Sequence, residues 1–372
     1  MKKQITIDAR WLKGGIGTYT EHLLEGLSKS RNGFEIEAIT RPEHRDVVSR
    51  WCSKVRVVDA PIYTLSEQWA VPRVSLGADL LHVPHFNVPL FHRGQLLVSI
   101  LDVIHLTDPA YKHNLAIQLY ARPMLLLAAR KASHIVTISE FSKSQIIEHL
   151  GVSEEKVTTI RCGVNGQFSC GDSSDEHEDA RRAVQRHLGV AAPYILYVGN
   201  LKPHKNVPTL LRAFALLHSR RTLPHRLVIL GDDRRSSQAL REECARLKIS
   251  EGTSFVPYVP PKLLPKVYAA ASVLVMPSRV EGFGLPVLEA MASGTPVICS
   301  RAASLPEVAG DAALYFDPTS PEDLASAMEN ILSSEELQKA LREKGLERAK
   351  ELTWHRSVQK HVEVYERVLR SR

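Results

Sequence analysis

Short apolar runs recur along the chain, each followed by a longer stretch in which apolar residues return at helical spacing. The first half carries such runs at 4–8, 34–40, 55–59, 79–82, 96–100 and 133–138. The second carries them at 194–198, 226–230, 254–259, 273–276, 296–299 and 313–316. Runs this short, many of them apolar without interruption, predict strands buried on both faces of parallel sheets, and the amphipathic stretches between them predict crossover helices. The expected class is α/β, with two doubly wound, Rossmann-like domains. Helices are expected at 43–52, at 114–132 with a kink at Pro123, at 142–150, at 209–218 and at 285–292. A final stripe of Val358, Val362, Tyr365 and Leu369 predicts a closing helix that docks on the body.

Between the two series lies GQFSCGDSSDEHEDARR, which is polar, acidic and aperiodic and reads as loop or hinge. The expected layout is a first domain at 1–168, a linker at 169–189, a second domain at 190–352, and a C-terminal helix at 353–372 packing back toward the first domain.

The candidate chemistry sits where strands hand over to helices. SRVEGFGLPVLEAMASG places Gly282, Phe283, Gly284 and Leu285 at the start of a helix, with Glu281 at its lip and Glu289 further along. Glycines allow close approach to the backbone, and the free amides of a helix N-terminus favour phosphate. Glu289 lies among Leu285, Pro286, Ala292 and Ser293, so its carboxylate needs donors, and sugar or ribose hydroxyls supply them. Spacing alone fits equally well a Glu281 that caps the helix and a Glu289 that reaches solvent or a buried ion pair.

GNLKPHKNVP sets Gly199 and Asn200 ahead of Lys202, His204 and Lys205 at another helix start, where cations beside free amides suit a diphosphate. Gly14, Gly15 and Gly17 form a first glycine-rich turn. They follow the strand too late, and Thr20 replaces the small third residue, for a dinucleotide fingerprint; a loop approaching phosphate or an ordinary tight turn fits instead. His82, His85 and Asn87 in HVPHFNVP, and Asp102 and His105 after the run at 96–100, stand at strand carboxyl ends, where open α/β sheets contact ligands.

Composition narrows the classes. With 372 residues, 44% hydrophobic and 24% charged, the chain can bury two substantial cores. The formal charge of +7 is spread over both halves, which argues against a nucleic-acid partner and suits small anionic ligands. Cys52, Cys162, Cys170, Cys244 and Cys299 are scattered without a CxxC, so neither a zinc site nor a disulfide framework is indicated, and the cytoplasm is the expected compartment. No apolar run reaches membrane-spanning length, so any membrane contact is expected to be peripheral, at the inner face; Arg45, Arg50 and Trp51 of helix 43–52 fit either an anionic membrane surface or a solvated helix face with one anchored aromatic.

Four segments, GGIGTYT, IVTISEFSKSQIIEHLGV, YILYVGNLKPHKNVPTLLRAF and, most specific, PSRVEGFGLPVLEAMASGTPVICSRAASLPEVAGDAALYFDP, together resemble the retaining family 4 glycosyltransferases of GT-B fold. Within that family the chain looks most like bacterial enzymes that build O-antigen or exopolysaccharide chains, several of which are GDP-mannose mannosyltransferases. The resemblance implies two Rossmann-like domains facing a central cleft and metal-independent transfer from a nucleotide diphospho-sugar, with no other cofactor. The sugar it points to is mannose, and the acceptor a saccharide linked to polyprenyl diphosphate. The adjacent aspartates at 232 and 233 sit among arginines and do not read as a metal site.

By the same resemblance, Glu281 holds hydroxyls of the donor sugar, Glu289 the ribose, and the amides of 282–285 the sugar and phosphates. Gly199, Asn200, His204 and Lys205 line the diphosphate, Gly14 and Gly15 approach it from the first domain, and Tyr258 and Val259 line the base. Asp102 is the acceptor-side catalytic candidate, and His105 or His85 is the candidate to replace the family's histidine that reaches the donor sugar. Three departures stand out: Leu101 precedes Asp102 where relatives commonly have histidine, His204 replaces an arginine, and Cys162 and Asn165 replace an asparagine and an aspartate. A nucleotide-sugar epimerase, a phosphorylase or a non-catalytic nucleotide-sugar binder on the same fold are the alternatives.

Overall fold

The computed structural model describes residues 2–111, 115, 117–168, 174–190, 193–220, 224–232 and 234–371. Contacts divide it into two units, Met1–Cys162 with Trp354–Arg372, and Gly163–Thr353.

The first unit is built on β1 (Gln4–Asp8), β2 (Glu35–Thr40), β3 (Lys54–Val57), β4 (Leu80–Val83), β5 (Gln95–Ser99), β6 (His134–Thr137) and β7 (Val157–Thr159). These pair in parallel in the order β3-β2-β1-β4-β5-β6-β7. The second unit uses β8 (Tyr194–Val198), β9 (Arg226–Leu230), β10 (Thr253–Val256), β11 (Val273–Met276), β12 (Val297–Ser300) and β13 (Ala313–Phe316). Their order is β10-β9-β8-β11-β12-β13, again parallel. Strands such as LLHV, VLVM and VICS are buried along their whole length because helices cover both faces. In each sheet the order reverses beside the first strand, between β1 and β4 and between β8 and β11. Loops leaving the two strands at such a reversal run to opposite faces and leave a crevice at the carboxyl edge.

The closing helix, Trp354–Arg370, packs on the first unit beside the helix Gly14–Lys29. The approach is close: a Cβ on Gly26 would lie 2.4 Å from Val358 Cγ2. Polar side chains complete the seam. Tyr19 Oη is 2.6 Å from His361 Nε2 and 3.0 Å from Ser99 Oγ, His82 Nε2 is 2.8 Å from Ser99 Oγ, and His82 Nδ1 is 2.8 Å from Tyr365 Oη. The buried face therefore runs through Trp354, Ser357, Val358, His361, Val364, Tyr365 and Val368. Val362 and Leu369, expected on the stripe, lie at its margins, because the polar Ser357 and His361 take central positions that hydropathy alone assigns to apolar residues.

Three further expectations are corrected. The linker at 169–189 contains the helix Ser174–Leu188, whose buried face is Ala180, Ala183 and Val184; small alanines carry too faint an apolar signal to register as periodicity. It packs on the helix Leu264–Ala269, with Asp179 Oδ2 2.6 Å from Lys266 Nζ. The helix expected at 43–52 shrinks to a 3₁₀ turn, Pro42–His44, and one α turn, Arg45–Val48, with Val48 its single buried residue. The helix expected at 114–132, whose first residue lies outside the described residues, is divided: a π-helical stretch at Ile117–Ala121 hands over to the α-helix Arg122–Lys131, with Pro123 in the first turn of the latter. Cys52, Cys162, Cys244 and Cys299 are buried free thiols, and Cys170 lies outside the described residues.

Burial holds His361 at about 4 and His82 well below the usual imidazole range. Both folded values are depressed below the unfolded one, so their contribution is fully present above about pH 6.5 and is lost as the pH falls through the folded values. For His361 alone the expected loss between pH 7 and pH 5 is about 2 kcal/mol. Urea unfolding at both pH values checks this. The slope should flatten in His361→Gln, and an equal slope in both proteins counts against it.

Candidate active site

The loops that leave β8 and β11 on either side of the second unit's reversal are laced together. Arg279 donates from its backbone N–H to the His204 carbonyl (2.8 Å) and from Nη2 to the Pro203 carbonyl (3.1 Å). Asn206, in the left-handed region at φ 57°, donates from Nδ2 to the carbonyls of Pro277 (3.0 Å) and Pro318 (2.8 Å). This lacing brings together two residues far apart in the chain. Lys205 Nζ donates to Glu281 Oε1 at 2.7 Å and Oε2 at 2.8 Å, and Ser278 Oγ donates to Oε1 at 2.7 Å. Both charged side chains are largely withdrawn from solvent, 12% and 8% exposed, and each is the other's countercharge. The pair leaves one of the three ammonium donors uncommitted to Glu281.

Behind Glu281 the backbone is pinned by Ser304 Oγ, which lies 2.9 Å from the Glu281 carbonyl oxygen and 3.0 Å from that of Phe283. Gly284 then opens the helix Leu285–Ala292 at φ 98°, a left-handed conformation that favours glycine, and a Cβ there would sit 2.7 Å from the end of the Leu305 side chain at Cδ2. Pro286 in the first turn carries no N–H, and the amides ahead of it at 282–285 are the backbone donors of this turn. Gly199 and Asn200 form the turn that leaves β8, the Asn200 carbonyl accepting from Tyr197 Oη at 2.6 Å.

Glu289 is held separately. Tyr268 Oη donates to Glu289 Oε2 at 2.7 Å, and burial pushes the Glu289 carboxyl up to about 7 against the opposing effect of that hydrogen bond. A carboxyl with this value is divided between its two forms at neutral pH, and it accepts further donors best when ionised.

The other expected residues are dispersed. His204 sits beside Lys205 on the 3₁₀ turn Pro203–Lys205; it is buried, and its carbonyl accepts from the Arg279 N–H. Tyr258, 68% exposed, and the buried Val259 follow β10, an edge strand separated from β8 by β9. Gly14 and Gly15 do not form a turn: they are the exposed first residues of the helix Gly14–Lys29, so their amides belong to a helix N-terminus. Asp102 accepts the Ile104 N–H through Oδ1 at 3.1 Å and starts the single turn Ile104–Thr107 that carries His105. Glu281 thus belongs to one unit, and Asp102 and His105 to the other. Among the described residues no group of three or more His, Cys, Asp or Glu is disposed to hold a metal ion, and Asp233 lies outside them.

Sequence reasoning missed Ser278, Asn206, Ser304 and Tyr268. Ser278 precedes Glu281 by three residues and was legible as a local donor. Tyr268 lies 21 residues from Glu289 on another helix, and nothing local announces the contact.

Comparison with known proteins identifies the family and the fold. The family model for glycosyl transferases group 1 matches residues 183–368, and that for glycosyltransferase family 4 matches residues 13–168. The O-antigen chain mannosyltransferase B of Escherichia coli is 30% identical over 77% of this chain and 74% of its own length. The O-antigen chain mannosyltransferase RfbU of Salmonella typhimurium is 28% identical over 73% of this chain and 70% of its own. Among solved structures, Anabaena Alr3699/HepE in complex with UDP-glucose superposes with a TM-score of 0.79 at 18% identity over 98% of this chain and 99% of that one. The sucrose-phosphate synthase of Thermosynechococcus elongatus gives 0.78 at 21% over the whole of both chains. At these identities the structures establish the fold alone.

Removing the Tyr268 hydroxyl takes away the donor that restrains the Glu289 carboxyl. In Tyr268→Phe its pKa is expected to rise above 7 by about one unit. Carbon NMR of labelled glutamate side chains reads the shift, and an unchanged titration would show that the hydrogen bond contributes nothing.

Proposed function

The chain belongs to the group 1, family 4 glycosyltransferases and has the GT-B fold, and we propose that it moves mannose from GDP-mannose to a lipid-linked saccharide in cell-surface polysaccharide synthesis. The observation that carries the reading is the Lys205–Glu281 pair at the strand reversal of the second unit, beside the amides that open the helix Leu285–Ala292. A nucleotide diphospho-sugar asks for this combination: a cation and backbone dipoles for the departing diphosphate, and a fixed carboxylate for sugar hydroxyls. Mannose is supported by the names of the Escherichia coli and Salmonella relatives.

In the proposed reaction the bond from the anomeric carbon to the diphosphate oxygen breaks as the acceptor hydroxyl attacks from the same face, giving retention. A diphosphate oxygen takes the acceptor proton. Lys205 and the amides at 282–285 stabilise the growing negative charge. Glu281, held by Lys205 and Ser278, positions the sugar and stabilises its positive charge without forming a covalent bond. No metal enters this scheme.

For a lipid-linked acceptor the first unit offers a better bilayer contact than the single turn Arg45–Val48. Leu65, Trp69, Leu76 and Phe91 are exposed, the Trp69 and Phe91 rings lie 4.4 Å apart, and the neighbouring Arg73 and Arg93 suit anionic lipid.

Three measurements test the reading. A thermal-shift screen with GDP-, UDP-, ADP- and dTDP-sugars should give the largest rise for GDP-mannose, since a ligand that binds the folded state stabilises it by mass action; no rise with any of them ends the proposal. Glu281→Gln should lower turnover by about a hundredfold or more while the melting curve stays cooperative, and a variant as active as the parent removes Glu281 from the mechanism. Trp69→Ala with Phe91→Ala should reduce cosedimentation with vesicles containing phosphatidylglycerol, and undiminished binding places the lipid contact elsewhere.

A further inference from the structure

We infer that Tyr268 is a positioning residue for donor binding: its hydroxyl fixes one carboxyl oxygen of Glu289 and leaves the other to ribose hydroxyls, and the donor displaces a proton from this carboxyl as it binds. The inference rests on the glycosyltransferase reading and specifies how that same site holds its nucleotide.

Glu289 lies on the second turn of the helix Leu285–Ala292. Its side chain is half-buried, and its two oxygens differ in what they meet. Oε2 accepts from Tyr268 Oη at 2.7 Å, whereas Oε1 has no hydrogen-bond donor among the described residues. A carboxylate held at one oxygen and open at the other has a fixed direction. It suits a vicinal diol, whose hydroxyls donate without adding charge.

Tyr268 is itself held in place. It is fully buried on the helix Leu264–Ala269, and the Phe168 ring meets it edge-on with centroids 5.8 Å apart. Its carbonyl accepts from Thr295 Oγ1 at 2.7 Å, and Thr295 lies just beyond the end of the Glu289 helix. The two helices are therefore joined twice, once through the carboxyl and once through this second hydrogen bond.

Among the described residues no charged group answers Glu289 from the elements packed on its helix. The helices Leu305–Ala309 and Glu335–Glu351 and strand β11 bury apolar faces. Lys344 and Arg348 are engaged by Asp311 and by the carbonyls of Val308 and Glu307, and Lys266 by Asp179. The Cys299 thiol of β12 is pushed up by burial and stays neutral. The Tyr268 hydroxyl is thus the one polar group that steadies the carboxylate, and burial holds Glu289 at about 7.

An O–H donates more strongly to a carboxylate than to a neutral acid, so ribose hydroxyls select the ionised form and the proton leaves to solvent. Below about pH 7 the donor must displace that proton and its affinity falls; above it the carboxyl is already ionised and the affinity levels off. A histidine beside the diphosphate, such as His204, would instead take up a proton, which is the opposite sign.

The test is isothermal titration calorimetry of the full chain with GDP-mannose, in buffers of different ionisation enthalpy, which counts protons. Release of about half a proton per donor is expected at pH 7 and about 0.9 at pH 6, with Kd rising about tenfold from pH 8 to pH 6. Glu289→Gln should abolish the release. Tyr268→Phe should move the affinity profile up by about one pH unit, so that it binds about fivefold more weakly than the parent at pH 7 and rejoins it near pH 9. A tyrosine that only supported the fold would weaken binding equally at every pH. GDP-mannose binding without proton release, release that survives in Glu289→Gln, or equal weakening at every pH in Tyr268→Phe overturns the inference while the donor reading stands. Should Glu289→Gln not bind or Tyr268→Phe not fold, the parent's proton count and the other variant decide. No binding of GDP-mannose to the parent protein is the separate result that overturns the donor reading, and this inference with it.

Discussion

Both units depend on one geometric constraint: parallel strands joined by right-handed crossovers must reverse direction of growth if helices are to cover both faces of the sheet. The reversal falls beside β1 in one sheet and beside β8 in the other. It opens a gap at the carboxyl edge that no helix fills, and the polar residues of each unit collect there. In the second unit the gap is bordered by the loops of Lys205 and Glu281; in the first it is bordered by Asp8 and His85. The two clusters differ in composition and partner, yet the backbone places them by the same rule.

Within the second unit, the Lys205–Glu281 contact is better understood as positioning than as stabilisation. Desolvating two charges costs about as much as their attraction returns, so a buried pair contributes little net stability while strongly penalising the loss of either member. Its geometry is over-determined by Ser278, Ser304, Asn206 and Arg279, none of which needs to touch a ligand. Glu289 shows the opposite arrangement. One hydroxyl holds it, its carboxyl is pushed up to about 7, and its charge is correspondingly responsive to whatever donors arrive.

The closing helix is held by an equally polar device. Tyr19, His82, Ser99, His361 and Tyr365 form a buried hydrogen-bonded chain between the first unit's sheet, the helix Gly14–Lys29 and the helix Trp354–Arg370. Tyr19 and His361 are separated by 342 positions in sequence, so the chain's last element joins a core whose other parts come from its beginning. Neutral imidazoles suit this role because each ring offers one donor and one acceptor to close the network.

Sequence alone determined the strands except the short, half-buried β7, the alternation that makes them parallel, and the glycine-bordered stretch containing Glu281 and Gly284, because these rest on local composition and spacing. It also marked Lys205, although only as one of several cations, and it joined His85 and Asn87 to no partner. Tertiary structure decided that Lys205 meets Glu281, that Tyr268 meets Glu289, and that Arg10 lies buried between two carboxylates. It also decided that the acidic stretch after Cys170 turns helical around two alanines and a valine, and that the closing helix buries Ser357 and His361. The physical reason is common to all of these. A polar side chain is worth burying only when a partner is present, and the partner is supplied by strand order and helix packing, which the local pattern of residues does not encode.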